Sequence, residues 1–179
     1  MTQDSPYSDA LLEWAGMAHY ALRLDGGIWA LETPGGGHRY YLRSTDVHTL
    51  TRVERADPES FLISAADMAD IEKFLVKSWG NSIRNAKSLP DIRSNPLPLR
   101  ASDIAPGYCL RDAGLGKVAI ASSNGTVRVT MIGGMTSSAF IPVWFSWILD
   151  ASLEELCASY LDPDGLPLFP GCTIGPRVS

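Results

Sequence analysis

The stretch Tyr20-Ala-Leu-Arg-Leu-Asp-Gly-Gly-Ile-Trp-Ala-Leu31, carried on through Pro34-Gly-Gly-Gly37 to Arg39-Tyr-Tyr-Leu-Arg43, decides the fold. Tyr20, Leu22 and Leu24 alternate with Ala21 and Arg23, the period of a strand with one buried face. Asp25-Gly26-Gly27 is a hairpin turn, because two glycines supply the positive φ that tight two-residue turns require. Ile28 to Leu31 is the return strand, and Pro34–Gly37 turns the chain again. In Arg39–Arg43, Tyr40 and Leu42 fall on one face and the two arginines on the other. Val47 to Glu54 reads as a fourth strand, and Asp57-Pro58 turns it into a fifth, Ser60 to Ile63. Turns this short cannot make parallel crossovers, so the segment predicts an antiparallel meander.

Helices are expected on either side. Ser5-Pro6 offers a cap and a first-turn proline, followed by Tyr7, Leu11, Trp14 and Ala18, which predicts a helix from 6 to about 17. Ser64 and Asp67 precede Met68, Ile71, Phe74, Leu75 and Trp79. Gly80 reads as a stop, giving a helix over 65–79 and a shorter one over 81–86. Further on, Gly107–Leu110 and Lys117–Ala121 read as strands, and Asn124-Gly125 as a hairpin leading to Val127 and Val129. Residues 138–149 are apolar on every side, so periodicity cannot separate helix from buried strand; Pro142, suited to a first turn, favours helix. Ser152 and Glu155 form a capping box for a helix over 153–161. The fold class is therefore α+β, an antiparallel sheet of hairpin-connected strands flanked by N-terminal, middle and C-terminal helices. One domain over 1–179 is expected, and the Pro-rich segment 88–107 could divide it into two lobes.

Composition narrows the chemistry. The chain has 179 residues, 45% hydrophobic and 20% charged, with 15 cationic and 20 anionic side chains. A net charge of −5 without a Lys/Arg cluster argues against nucleic-acid binding and against a polybasic membrane contact. The longest apolar run, Ala139–Leu149, is far short of the roughly 20 residues of a membrane span. Cys109, Cys157 and Cys172 match no zinc or disulfide spacing and are expected as reduced, buried thiols. His19, His38 and His48 form no metal-ligand pair. There is no nucleophile elbow. Pro34-Gly35-Gly36-Gly37 is followed by strand residues and so is no phosphate loop. Asp162-Pro163-Asp164-Gly165 lacks the further ligands of a calcium loop and reads as a turn. Five tryptophans are expected mostly on core faces, with Trp144 and Trp147 sharing one face if that segment is helical; an aromatic contact patch is the alternative.

No catalytic constellation emerges, and three segments carry a resemblance. Gly36-Gly37-His38-Arg39-Tyr40-Tyr41-Leu42-Arg43, Leu50-Thr51-Arg52-Val53-Glu54-Arg55 and Ser152 through Phe169 resemble the immunity-protein family that neutralises the tuberculosis necrotizing toxin. The resemblance implies a cytoplasmic antitoxin without catalytic residues, cofactor or metal. Its implied partner is a secreted NAD glycohydrolase, held one to one with its active-site cleft blocked. No contact residue is carried over from the family. A cleft that takes a pyrophosphate presents cationic or N–H donor groups, so a plug should offer acceptors on projecting loops. That argument nominates the glycine tip Gly35, Gly36, Gly37 and His38; the turn with Asp57 and Glu59; and the loop with Asn85, Ser88, Asp91 and Arg93. The alternatives are a generic interaction or chaperone-like module for another secreted client, and an enzyme with a cryptic site.

Overall fold

The computed structural model describes residues 5–93, 100–133 and 140–174, with the side chains of 173 and 174 excepted. Helix α1 (Asp9–Met17) precedes strands β1 (Ala21–Asp25), β2 (Ile28–Glu32), β3 (His38–Ser44), β4 (His48–Glu54) and β5 (Ser60–Ala65). Helix α2 (Met68–Ala86) follows, then β6 (Asp91–Ile92), β7 (Tyr108–Gly114), β8 (Lys117–Ser122) and β9 (Val127–Ile132). Helices α3 (Phe140–Ser146) and α4 (Leu153–Leu161) and strand β10 (Thr173–Ile174) complete the order. The two hairpin runs join through an antiparallel β5–β9 pair into one eight-stranded sheet, ordered β1-β2-β3-β4-β5-β9-β8-β7. Strands β6 and β10 pair separately. The α+β expectation and the five-strand meander hold.

The core lies between one face of the sheet and the helices. Leu31, Tyr40, Leu42, Leu50, Ile63, Ile120, Val129 and Met131 bury on the sheet side. Arg39, Tyr41 and Arg43 take the other face of β3, as the alternation required. From α2, Ile71, Phe74, Leu75, Val76, Trp79 and Ile83 complete the core. Trp79 stacks on Tyr20 at 4.5 Å between ring centroids, and Tyr40 meets both edge-on.

Several expectations need correction. Helix α1 starts at Asp9 and is capped by Ser8, whose Oγ accepts from the Leu11 amide at 3.2 Å, so Ser5-Pro6 lies outside it. Ser8 prevails because its own N–H and Oγ–H also donate to the Glu72 carboxylate, at 2.6 and 2.9 Å, tying α1 to α2. Ser64 and Ala65 belong to β5, and Asp67 alone caps α2. Trp147 lies beyond α3 and is half-exposed, while Trp144 is buried, so the pair shares no face. Residues 138 and 139 lie outside the described residues. Of the thiols, Cys172 is buried but Cys109 and Cys157 are half-buried; all three are free. Burial and the nearby carboxylates of Glu154, Glu13 and Glu72 push the Cys157 thiol up to about 12.

Gly80 does not end α2, which runs on through it to Ala86. A Cβ there would lie 2.2 Å from Tyr160 Cε1 and 2.4 Å from Cδ1, so glycine permits α2 and α4 to approach closely. Tyr160 is itself wedged between Trp14, at 6.1 Å, and Phe169, at 5.2 Å. Helix propensity alone would favour alanine by about 1 kcal/mol. Overpacking against a pinned ring outweighs it, so Gly80→Ala should destabilise by about 2 kcal/mol net. Urea unfolding of the variant measures this, and a stabilised variant would show that the ring yields.

Burial raises the Glu72 carboxyl above its ordinary 4.5; its bonds from Ser8 oppose the shift, while Asp67 and Glu154 reinforce it. The folded state therefore holds this proton more tightly than the unfolded chain. Stability from this group is greatest at and below pH 4.5 and is lost as the pH rises through the raised folded value. Unfolding of wild type and Glu72→Gln, compared across that window, should show wild type losing stability relative to the variant as pH rises. A pH-independent difference would contradict the desolvated carboxylate.

Candidate functional site

The antiparallel order brings three chain reversals to one end of the sheet: β2 to β3, β4 to β5 and β7 to β8. The β2–β3 connection folds Pro34–Gly36 into a single 3-10 turn, with φ of 81° at Gly35 and 71° at Gly36. Beneath it Arg39 Nε donates to Glu32 Oε1 at 3.1 Å. A Cβ on Gly36 would come within 2.7 Å of both these side chains, so glycine is required there for shape as well as for φ. Thr33 Oγ1 accepts from the His38 amide at 3.0 Å and closes the loop.

The neighbouring β4–β5 turn is attached to this tip. The Arg55 amide donates to the Gly37 carbonyl at 2.8 Å. Asp57 is exposed and its amide donates to the Glu54 carbonyl at 2.9 Å. Glu59 is committed elsewhere. Arg43 and Thr51 both donate to its carboxylate, and those bonds hold the carboxyl below the usual range. Glu59 therefore braces the uncovered face of the sheet, its carboxylate engaged by Arg43 and Thr51.

The third reversal belongs to β7 and β8. Gly133 N–H at the end of β9 donates to the Gly116 carbonyl at 2.9 Å. Lys117 Nζ sits over the Phe61 ring at 4.1 Å, joining β8 to β5. At its tip Leu115 is 96% exposed. Sequence reasoning missed this tip, although Asp112-Ala-Gly-Leu-Gly-Lys117 carries the glycine pair of a turn between two strands.

The remaining candidates form a second group. Asn85 lies in the last turn of α2, and its carbonyl accepts from the Ser88 amide at 3.1 Å. Asp91 is in β6, paired to β10, and faces Arg93 at 3.7 Å. The nominated Asn85–Arg93 loop is thus a correction: a helix end, a short turn and a strand. Asn81 holds β6 in place, donating to the Ile92 carbonyl at 2.8 Å and accepting from its amide at 3.0 Å. Beside it opens a cleft of about 370 Å³ lined by Lys77, Asn81, Arg93, Trp144 and Tyr160. The Lys77 ammonium lies 5.3 Å from the Trp144 ring centre, and burial lowers its pKa.

Chemically, the tips offer backbone polar groups, the Asp57 carboxylate, the exposed Arg55 side chain and the apolar Leu115 side chain. No group of three or more His, Cys, Asp or Glu among the described residues could hold a metal ion. No helix among the described residues is long and apolar enough to cross a membrane. The tip row suits contact with another surface.

Comparison with known proteins places the chain in a family. The chain is 32% identical over 147 residues to the protein named "Immunity factor for TNT" of Mycobacterium tuberculosis (strain ATCC 25618 / H37Rv), which covers 80% of this chain and 78% of that one. The "Immunity factor for TNT homolog" of Mycobacterium bovis (strain BCG / Pasteur 1173P2) matches with the same identity and coverage. The solved structure of "Rv3902c from M. tuberculosis" superposes with a TM-score of 0.78 at 28% identity, covering 92% of this chain and 94% of that one. The resemblance read from the residues and the fold thus agree. Residues 14–168 match the family model described as Immunity protein 61, and the chain belongs to that family.

Proposed function

We propose that this protein is a cytoplasmic antitoxin that binds an NAD-hydrolysing toxin one to one and covers its active-site cleft. It acts as one domain and makes or breaks no bond itself. The observation that carries the reading is the family match over residues 14–168, supported by two relatives named as immunity factors for TNT. The geometry suits it. A stable inhibitor needs about 800 Å² on each partner, under a tenth of this molecule's 9616 Å² surface. Three hairpin tips at one end of a single sheet form a pre-ordered contact row, so little ordering entropy is lost on binding. Gly35–His38 and Asp57 supply acceptors toward the donors of a pyrophosphate site. Asn85, Ser88, Asp91 and Arg93 are the second candidate surface.

Titrating the purified protein into a fixed amount of cognate toxin, while following NAD, tests the reading. The rate should fall linearly to zero at equimolar protein. NAD turnover that persists at excess protein would overturn it, and so would NAD consumption by the protein alone.

A further inference from the structure

We propose that Leu115 is the apolar anchor of the toxin interface, seated in an apolar recess of the toxin's cleft. This inference rests on the antitoxin reading.

The argument starts from the turn. Gly114 pairs with Lys117 across the hairpin, so Leu115 and Gly116 are its two loop residues. Their φ values are 52° and 68°, and Gly114 before them is at 73°. Two positive φ values are the pattern of the tight hairpin turn that selects Asn, Asp or Gly at its first position. A Cβ there crowds the following carbonyl oxygen, and leucine lacks the short polar side chain with which Asn and Asp offset that cost. The same sheet shows the unstrained solution: β1 and β2 are joined by Gly26 and Gly27, at 56° and 85°.

Leucine at position 115 gains nothing from the fold. It is 96% exposed, the most exposed large apolar residue among those described. The turn would be better served by Asn or Gly, and the surface by any polar residue. Strain and apolar exposure at one residue point to a contact outside the chain. The tip is also free to enter a recess, since β7 is the edge strand of the sheet and glycine stands on either side of Leu115. It lies at the same end as the Gly35–His38 and Asp57 tips, so one partner can meet all three.

A second copy of this chain is the rival occupant. The cleft that could accept a leucine, about 390 Å³ and lined by Ile28, Trp29 and Leu42, opens beside the β1–β2 and β3–β4 turns. Those turns are at the opposite end of the sheet. Such a contact would join opposite ends of two copies. A dinucleotide cleft, by contrast, must offer apolar walls to the rings of its substrate.

The test uses the full-length protein and the cognate toxin, with Leu115→Asn and Leu115→Met beside wild type. Leu115→Asn should raise the concentration needed for half-inhibition at least about tenfold, as expected of a central anchor. Its thermal midpoint should equal or exceed that of wild type, because Asn suits the turn. Leu115→Met, apolar and similar in volume, should inhibit within about threefold of wild type. Wild type that inhibits, with Leu115→Asn equally potent, overturns the anchor and leaves the antitoxin reading standing. Loss of potency accompanied by a lower thermal midpoint overturns the anchor too. Wild type that fails to inhibit removes both. Free protein that associates and becomes monomeric in Leu115→Asn assigns the residue to self-contact and overturns the proposal.

Discussion

Replacing Asp70 by alanine should cost about 3–5 kcal/mol of stability, the usual effect of removing one member of a buried ion cluster. Asp70 is fully buried in the first turn of α2. Its carboxylate accepts from Arg128 Nε at 2.7 Å and Nη2 at 3.1 Å, and Lys73 Nζ lies 3.5 Å away. Arg128 reaches it because β9 carries a bulge. Val129 faces Ile120 and Val127 faces Ala121, leaving Arg128 as the extra residue, which the bulge turns to the helix side. Without Asp70, two cations would converge on the Leu149 carbonyl, which Lys73 and Arg128 already approach at 2.6 and 3.1 Å. Asp150, on the exposed edge of the cluster at 3.3 Å from Arg128, is too solvated to compensate. Desolvation and the bond to Asp150 push the Tyr108 phenol, a further member, up to about 12. Denaturant unfolding of Asp70→Ala and Arg128→Met, alone and together, reads the coupling. The double variant should be less damaged than the two losses summed. Simple additivity would show that the cluster does not act as a unit.

Arg84→Met should also cost about 3–5 kcal/mol, by a different mechanism. The guanidinium is fully buried and, among the described residues, faces no carboxylate at salt-bridge distance; four backbone carbonyls accept from it. Those of Tyr160 at 2.8 Å, Asp162 at 2.7 Å and Pro163 at 2.9 Å come from the end of α4 and the turn beyond it; the fourth is that of Pro90. The last carbonyls of a helix have no partners of their own and sit at the negative end of its dipole, so a cation from α2 serves both needs. Methionine keeps most of the volume but strands the carbonyls, each worth about 1 kcal/mol or more when buried without a donor. Arg84→Lys should recover only part, since three N–H groups on one nitrogen cannot span four acceptors. Equilibrium unfolding of the two variants checks the order. A methionine variant as stable as wild type would mean that water fills the site freely.

Both predictions concern residues that the sequence does not single out. Nothing local distinguishes Asp70, Lys73 and Arg84 from the chain's other charges; α2 buries all three because Arg128, the Leu149 carbonyl and the end of α4 close over them. Gly80 shows the same limit. Its local meaning, a helix stop, yields to a ring 80 residues further on. The candidate site was half legible. Glycine-rich and Asp-Pro turns announce hairpin tips, and alternation told which face of β3 would be buried. Which tips share an end depends on the β5–β9 pairing, a contact between segments more than 60 residues apart. Leu115 stayed hidden because an apolar residue in a short turn carries no periodic signal.

What the sequence by itself determined was local. Alternation of apolar residues, two-glycine turns and the Ser152–Glu155 capping box specify strands, hairpins and α4, because each depends on φ/ψ preferences and neighbours within a few residues. The quoted segments also carried the family resemblance. Only the tertiary structure decided that the two hairpin runs form one sheet, that Arg84 and Asp70 are buried, and that the tips of three hairpins stand together with Leu115 in solvent. Those outcomes are settled by long-range burial, which compensates buried charge and close contact only once distant segments have met.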